Sequence, residues 1–104
     1  MRSPHEIGMI IERRLKNYLS RDTTGIRHAL LTLFLHARSL TIAQIFGILN
    51  RRFSISYHSV AAMVGIIASK IGILHVTKDK EGACSVYSLK AQYIETVERI
   101  VGAG

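Results

Sequence analysis

Residues 40–74 read LTIAQIFGILNRRFSISYHSVAAMVGIIASKIGIL, and the order of signals along this stretch decides the fold. It opens on Leu40-Thr41-Ile42-Ala43-Gln44-Ile45. A Thr followed three residues later by a Gln is the spacing of a capping box, in which each side chain satisfies the other residue's free backbone N–H, and Leu40 with Ile45 supplies a hydrophobic staple. The short helix so started ends near Asn50, with Ile42, Ile45, Phe46 and Leu49 inward. Arg51-Arg52 follow at its C-terminus, where cations suit the helix dipole. Ser54-Ile55-Ser56 is a break, after which residues 57–71 read as a longer helix capped by Ser56 and stopped by Gly72. At about 100° per residue, Tyr57, Val60, Ala61, Val64, Ile67, Ala68 and Ile71 converge on one side. His58, Ser59, Ala62, Ile66 and Ser69 occupy the other.

On the N-terminal side, Ser3-Pro4-His5-Glu6 combines a capping Ser, a Pro at the first helical position and a Glu three residues after the cap. A first helix is expected from there to about Ser20, with Ile7, Ile10, Ile11, Leu15 and Tyr18 on one face and Arg13, Lys16 and Asn17 on the other. A second follows the cap candidates Asp22-Thr23-Thr24, with Ile26, Leu30, Leu33, Phe34 and Ala37 forming a wide inner stripe. On the C-terminal side the pattern turns extended. Ile73-Leu74-His75-Val76-Thr77, a polar turn over residues 78–82, and Cys84-Ser85-Val86-Tyr87-Ser88-Leu89 read as a hairpin. Residues 90–101 are helical again, with Tyr93, Val97 and Ile100 on an apolar face.

Helix, short helix, longer helix and two-stranded hairpin is the order of the winged helix-turn-helix. Leu40-Thr41 with Ile45 and Leu49, Ile55-Ser56 with Val60, Ile71-Gly72-Ile73-Leu74, and Val86-Tyr87-Ser88-Leu89 resemble repressors of the ferric-uptake and multiple-antibiotic-resistance types over about residues 24–89. The flanking helices are similar to those through which such repressors often dimerise, and the whole chain resembles small archaeal winged-helix proteins. The resemblance implies a positioning helix over residues 41–50, a recognition helix over 56–71 and a wing tip over 78–82. It places Ser56, His58, Ser59 and Ala62 near base edges, and Arg38, Arg51, Arg52, Lys78 and Lys80 near phosphates.

Charge agrees with a polyanionic partner. Fourteen Lys and Arg against seven Asp and Glu give +7, which favours duplex DNA or an anionic surface. The field is uneven: residues 1–55 carry nine basic and three acidic side chains, whereas residues 56–104 carry five and four. The recognition segment has no Arg, Asn or Gln and only Lys70, so the best bidentate base readers are missing. Asp79 and Glu81 offset Lys78 and Lys80 at the wing. Readout is therefore expected through shape, water and phosphates more than through specific bases.

Other chemistries find little support. The five histidines are dispersed, without the spacing of converging metal ligands, so no metal and no cofactor is expected. Cys84, the single cysteine, excludes an intramolecular disulfide and fits a reducing, cytoplasmic setting; its simplest role is a small apolar residue at the base of the wing. No phosphate-cradling glycine loop, nucleophile elbow or close acid pair points to an enzyme or to a small-molecule substrate. The longest unbroken apolar run, residues 60–68, is far short of a membrane span. Arg13, Arg14 and Lys16 suit an ordinary polar helix face, with peripheral binding to anionic lipid as the other reading.

The expectation is a mainly α protein with a small β-hairpin (α+β), one winged-helix domain over residues 1–104 with flanking helices over about 4–20 and 90–101. It is expected to bind DNA as a transcription regulator and to form a homodimer through its terminal helices, whose apolar faces exceed what a three-helix core with a wing requires. The rival reading is a protein-interaction module whose partner covers the uncharged outer face of residues 56–71.

Overall fold

A computed structural model describes residues 3–103. Five α-helices, α1 (Pro4–Ser20), α2 (Ile26–His36), α3 (Ile42–Leu49), α4 (Tyr57–Ile66) and α5 (Ile94–Ala103), enclose one apolar core, and an antiparallel hairpin of β1 (Leu74–Lys78) and β2 (Ser85–Leu89) projects from it. The fold is the mainly helical winged-helix arrangement that the sequence order indicates.

Local chemistry starts most elements where the sequence marks them. The Ser3 hydroxyl accepts from the Glu6 N–H, with Pro4 in the first turn. At α3 the Thr41 hydroxyl accepts from the Gln44 N–H and the Gln44 side chain accepts from the Thr41 N–H, completing the capping box. The entry to α2 differs from expectation. Gly25, in the left-handed region at φ 87°, occupies the cap position, and the Asp22 carboxylate reaches past it to accept from the N–H groups of Gly25, Arg27 and His28. One carboxylate thus satisfies three amides that an α-helix start leaves unpaired.

The helix expected over residues 57–71 is continuous but not uniform. After Ile66 it widens into a π turn over Ile67–Ile71, where the Gly72 N–H donates to the Ile67 carbonyl, before Gly72 ends it at φ 84°. Ile67 and Ile71, four residues apart, are both buried. Val60 and Val64 complete the inner row, whereas Tyr57, expected on the same side, is 52% exposed. Tyr57 sits in the first turn of α4, beyond the edge of the core, and rests edge-on against Phe46 at 5.8 Å between ring centres.

The terminal helices spend most of their apolar surface inside the chain. Ile11, Leu15 and Tyr18 of α1 and Val97, Ile100 and Val101 of α5 are buried in the common core, as are Leu30, Leu31 and Phe34 of α2. Fully burying each large aliphatic side chain contributes about 1.5–3 kcal/mol, so α1 and α5 are integral to the fold. Ile7, Met9 and Ile94 remain exposed. Arg99 of α5 donates to Glu12 of α1, and the guanidinium holds the Glu12 carboxyl below its ordinary range. The His28 ring donates through Nε2 to the Val101 carbonyl at 2.9 Å, tying α2 to α5.

The wing carries a third extended segment. Leu40 pairs with Tyr87 on the edge of β2 opposite β1, so the residue that precedes α3 is stitched to the hairpin. β1 runs through Lys78, which faces Ser85, and the loop covers residues 79–84. Among the described residues, no helix is long and apolar enough to cross a membrane.

Candidate nucleic-acid interface

Ser56 sets the leading edge of the candidate surface. Its hydroxyl accepts from the Ser59 N–H at 3.1 Å and stands 3.0 Å from the Ser59 hydroxyl. Ser56 is therefore occupied as a cap, and with its proton directed to Ser59, the Ser59 O–H stays free to donate outward. His58, Ser59 and Ala62 are all exposed, as the helical spacing requires, and Ile66 and Ser69 continue the same uncharged strip. Nothing in the strip brings a guanidinium to a base edge.

Tyr57 and the wing share one cleft. Its walls come from Thr41 to Ala43 at the start of α3, Tyr57 at the start of α4, and the wing residues Ala83 to Ser85 and Tyr87. Strand pairing between Leu40 and Tyr87 is what holds the wing base beside these two helix starts. The start of α4 and the wing thus border a common groove, although the exposed strip itself lies outside it.

The candidate phosphate contacts are spread more widely. Arg38, Arg51, Arg52, Lys78 and Lys80 are exposed. Arg51-Arg52 follow α3 in a fixed turn, with the Arg52 and Phe53 N–H groups both donating to the Leu49 carbonyl. The Arg52 guanidinium lies over the Phe53 ring at 5.5 Å and borders a cleft between α2 and α3, away from the wing. Lys78 ends β1 and donates to the Ser85 hydroxyl, so it belongs to the strand pair and not to the tip. Lys80 is in the loop, and so is Asp79, whose carboxylate is turned inward to accept from the Ala83 N–H. That bond fixes the loop and leaves Glu81 as the exposed acid beside Lys80. Arg38 lies in the connection just before Leu40.

Cys84 departs from expectation. It is exposed in the wing loop, one residue before β2, with its carbonyl accepting from the Asp79 N–H. The turn needs that carbonyl and not an apolar side chain. Among the described residues no three His, Cys, Asp or Glu side chains gather into a potential metal site.

Residues 15–97 match the family described as protein of unknown function (DUF2551). The chain belongs to that family. A DUF2551 chain of this length has a relative in Archaeoglobus fulgidus, described only as an uncharacterised protein, which is 42% identical over 92 residues covering 88% of this chain and 92% of the relative. Among solved structures, the DUF2551 fold is similar to a cysteine-to-serine mutant of MarR from E. coli, with a TM-score of 0.60, 20% identity, and coverage of 94% of this chain and 72% of that one. The same mutant crystallised with operator DNA gives a TM-score of 0.59 at 20% identity, covering 94% and 70%. The likeness is one of fold.

A basic group that the sequence reading did not assemble borders the far end of the uncharged strip, with Ile66 shared between them. Arg14 of α1, Arg21 at its C-cap, Arg27 of α2 and Lys70 of the π turn line one cleft with Tyr18. Arg14, Tyr18 and Arg21 stand at i, i+4 and i+7, a spacing that puts them on one helix face. That spacing was the available signal; Arg27 and Lys70 arrive only through tertiary packing.

Proposed function

We infer that this protein is a DNA-binding regulator that engages duplex DNA mainly through phosphate contacts, with α4 entering a groove. The observation that carries the reading is the start of α4: a Ser56-capped helix with exposed, uncharged His58, Ser59 and Ala62, preceded by the exposed Arg51-Arg52 turn. A short-side-chained helix start admits close approach to base edges while cations before it hold the backbone. That the MarR mutant of similar fold is complexed with operator DNA supports a DNA partner for a chain of this fold. Arg38, Arg51, Arg52, Lys78 and Lys80 are the phosphate contacts, and Ser59, with His58 and Ala62, faces the bases while Ser56 caps the helix. Two chains pair through the exposed apolar residues Ile7, Met9 and Ile94 of the terminal helices, which sets two α4 helices on one duplex. The setting is cytoplasmic, and the role is not enzymatic.

The test is fluorescence anisotropy on duplex DNA with Arg51 and Arg52 both changed to Ala. Affinity should fall for every sequence, and the salt slope should shrink by about 1 to 2, since a protein that neutralises fewer phosphates releases fewer counterions. Unchanged binding removes the assignment.

A second reading has one observation in its favour: Tyr57 and Ile66 of α4 are 52% and 36% exposed. A protein partner covering them would be released by Ile66→Asp and indifferent to the Arg changes, because an interface core rejects an unpaired charge.

A further inference from the structure

The cleft between α1, α2 and the end of the α4 segment has a volume of about 280 Å³ and is lined by Arg14, Arg21, Arg27 and Lys70, with Tyr18 and Ile66. No Asp or Glu lines it. The Asp22 carboxylate acts on the Tyr18 phenol, and its oxygens are engaged by the backbone amides of Gly25, Arg27 and His28. Four cations therefore face one space without a carboxylate in its walls.

Two of the guanidiniums are positioned by the fold. Arg27 donates to the Tyr18 carbonyl at 2.9 Å and lies over the Tyr18 ring at 4.5 Å, while Arg14 reaches the Ile71 carbonyl at 3.5 Å. Each has five N–H donors, so both keep several for a ligand. Tyr18 holds Arg27 in place. The residue is 8% exposed, and its hydroxyl is the one buried side-chain polar atom without a hydrogen-bond partner among the described residues. That hydroxyl is closed off from the cleft, so Tyr18 serves the cleft through its carbonyl and its ring, which both hold Arg27.

We propose that this cleft binds the phosphate group of a small organic phosphate. A single carboxylate would neutralise one of the four cations, whereas a phosphomonoester brings up to two charges and three peripheral oxygens, a better match to several guanidiniums at once. The volume exceeds what the phosphate alone fills, and Ile66 and Ile71 give its organic part an apolar wall. The site is separate from the Arg51-Arg52 turn and does not rest on DNA binding.

The experiment is an NMR and calorimetric titration of the full chain with inorganic phosphate and with ribose 5-phosphate, against sodium chloride at equal ionic strength. Ribose 5-phosphate should bind saturably, one per chain, with amide shifts over residues 14–27 and 66–71 and more tightly than inorganic phosphate. The exposed pair Arg21→Gln with Lys70→Gln should weaken it on the order of tenfold or more. The Arg51→Ala, Arg52→Ala variant should bind it unchanged. Shifts no larger than those in chloride, or binding indifferent to the Arg21 and Lys70 changes, would overturn the proposal. So would a DNA affinity lowered by Arg21→Gln with Lys70→Gln in a protein that ignores both small phosphates, for the cleft would then belong to the DNA surface.

Discussion

The Leu40 N–H donates to the Tyr87 carbonyl and the Tyr87 N–H to the Leu40 carbonyl, both at 2.8 Å. These two bonds form a closely spaced antiparallel pair across 47 residues of chain, and Leu40 is itself buried in the core. They fix the wing relative to the start of α3, and through the capping box at Thr41 they fix the direction in which α3 sets out. If the pair is part of the stable structure, the Leu40 amide should exchange with solvent as slowly as amides inside α3 in native-state hydrogen exchange. Exchange at the rate of the wing loop would mean that the wing is free of the helices.

Capping makes a graded prediction. Thr41→Ala removes one side of the capping box and should cost about 1 kcal/mol, which for a chain of this size lowers Tm by about 4–8 °C. Asp22→Ala leaves three α2 amides without their acceptor and should cost more, about 2 kcal/mol. Urea midpoints for the two variants give the order, and an Asp22 effect smaller than that of Thr41 would contradict the account of α2.

Leu15 tests whether α1 belongs to the core of its own chain. Its side chain is fully buried, so Leu15→Ala should cost about 2–5 kcal/mol, depending on how far the cavity collapses. The loss should be independent of protein concentration. A destabilisation that grows on dilution would show that the α1 face is shielded by a second chain.

Tyr18 predicts a dependence on alkaline pH. Burial raises its pKa above the ordinary 10.0, the Arg27 charge partly opposes this, and Asp22 adds to it. The unfolded chain then loses the phenolic proton first, so the stability contribution is complete below about pH 10 and is lost as pH rises through the higher folded value. Tyr18→Phe should leave stability at pH 7 unchanged or slightly greater, because it deletes an unpaired hydroxyl. It should also flatten the decline above about pH 10. Urea midpoints of both proteins across that range check the sign, and identical alkaline slopes would contradict it.

Much of the fold is legible in the sequence because its signals are local. Ser3 with Pro4, Thr41 with Gln44, and Ser56 before a helix each act within a few residues, and the buried row Val60, Val64, Ile67 and Ile71 follows from helical spacing alone. What escaped depends on distance or on small departures from ideal geometry. The bridge between Leu40 and Tyr87 joins segments far apart in the chain, and the π turn at Ile67–Ile71 adds one residue to a turn without any marker in composition. Tyr57 has the right angular position for the core and lies too far toward the helix end to reach it. The site was legible to the same degree: exposure of His58, Ser59 and Ala62 follows from periodicity, whereas the capture of Ser56 by Ser59 and the gathering of Arg14, Arg21, Arg27 and Lys70 do not.

Whether this chain holds duplex DNA by its phosphates is decided by a salt titration of the unmodified protein on random-sequence duplex, followed by fluorescence anisotropy. A linear fall of log affinity with log salt is expected, with a slope of about −0.9 for each phosphate engaged and several phosphates per chain. No binding at the lowest salt, or an affinity that does not change with salt, would contradict it.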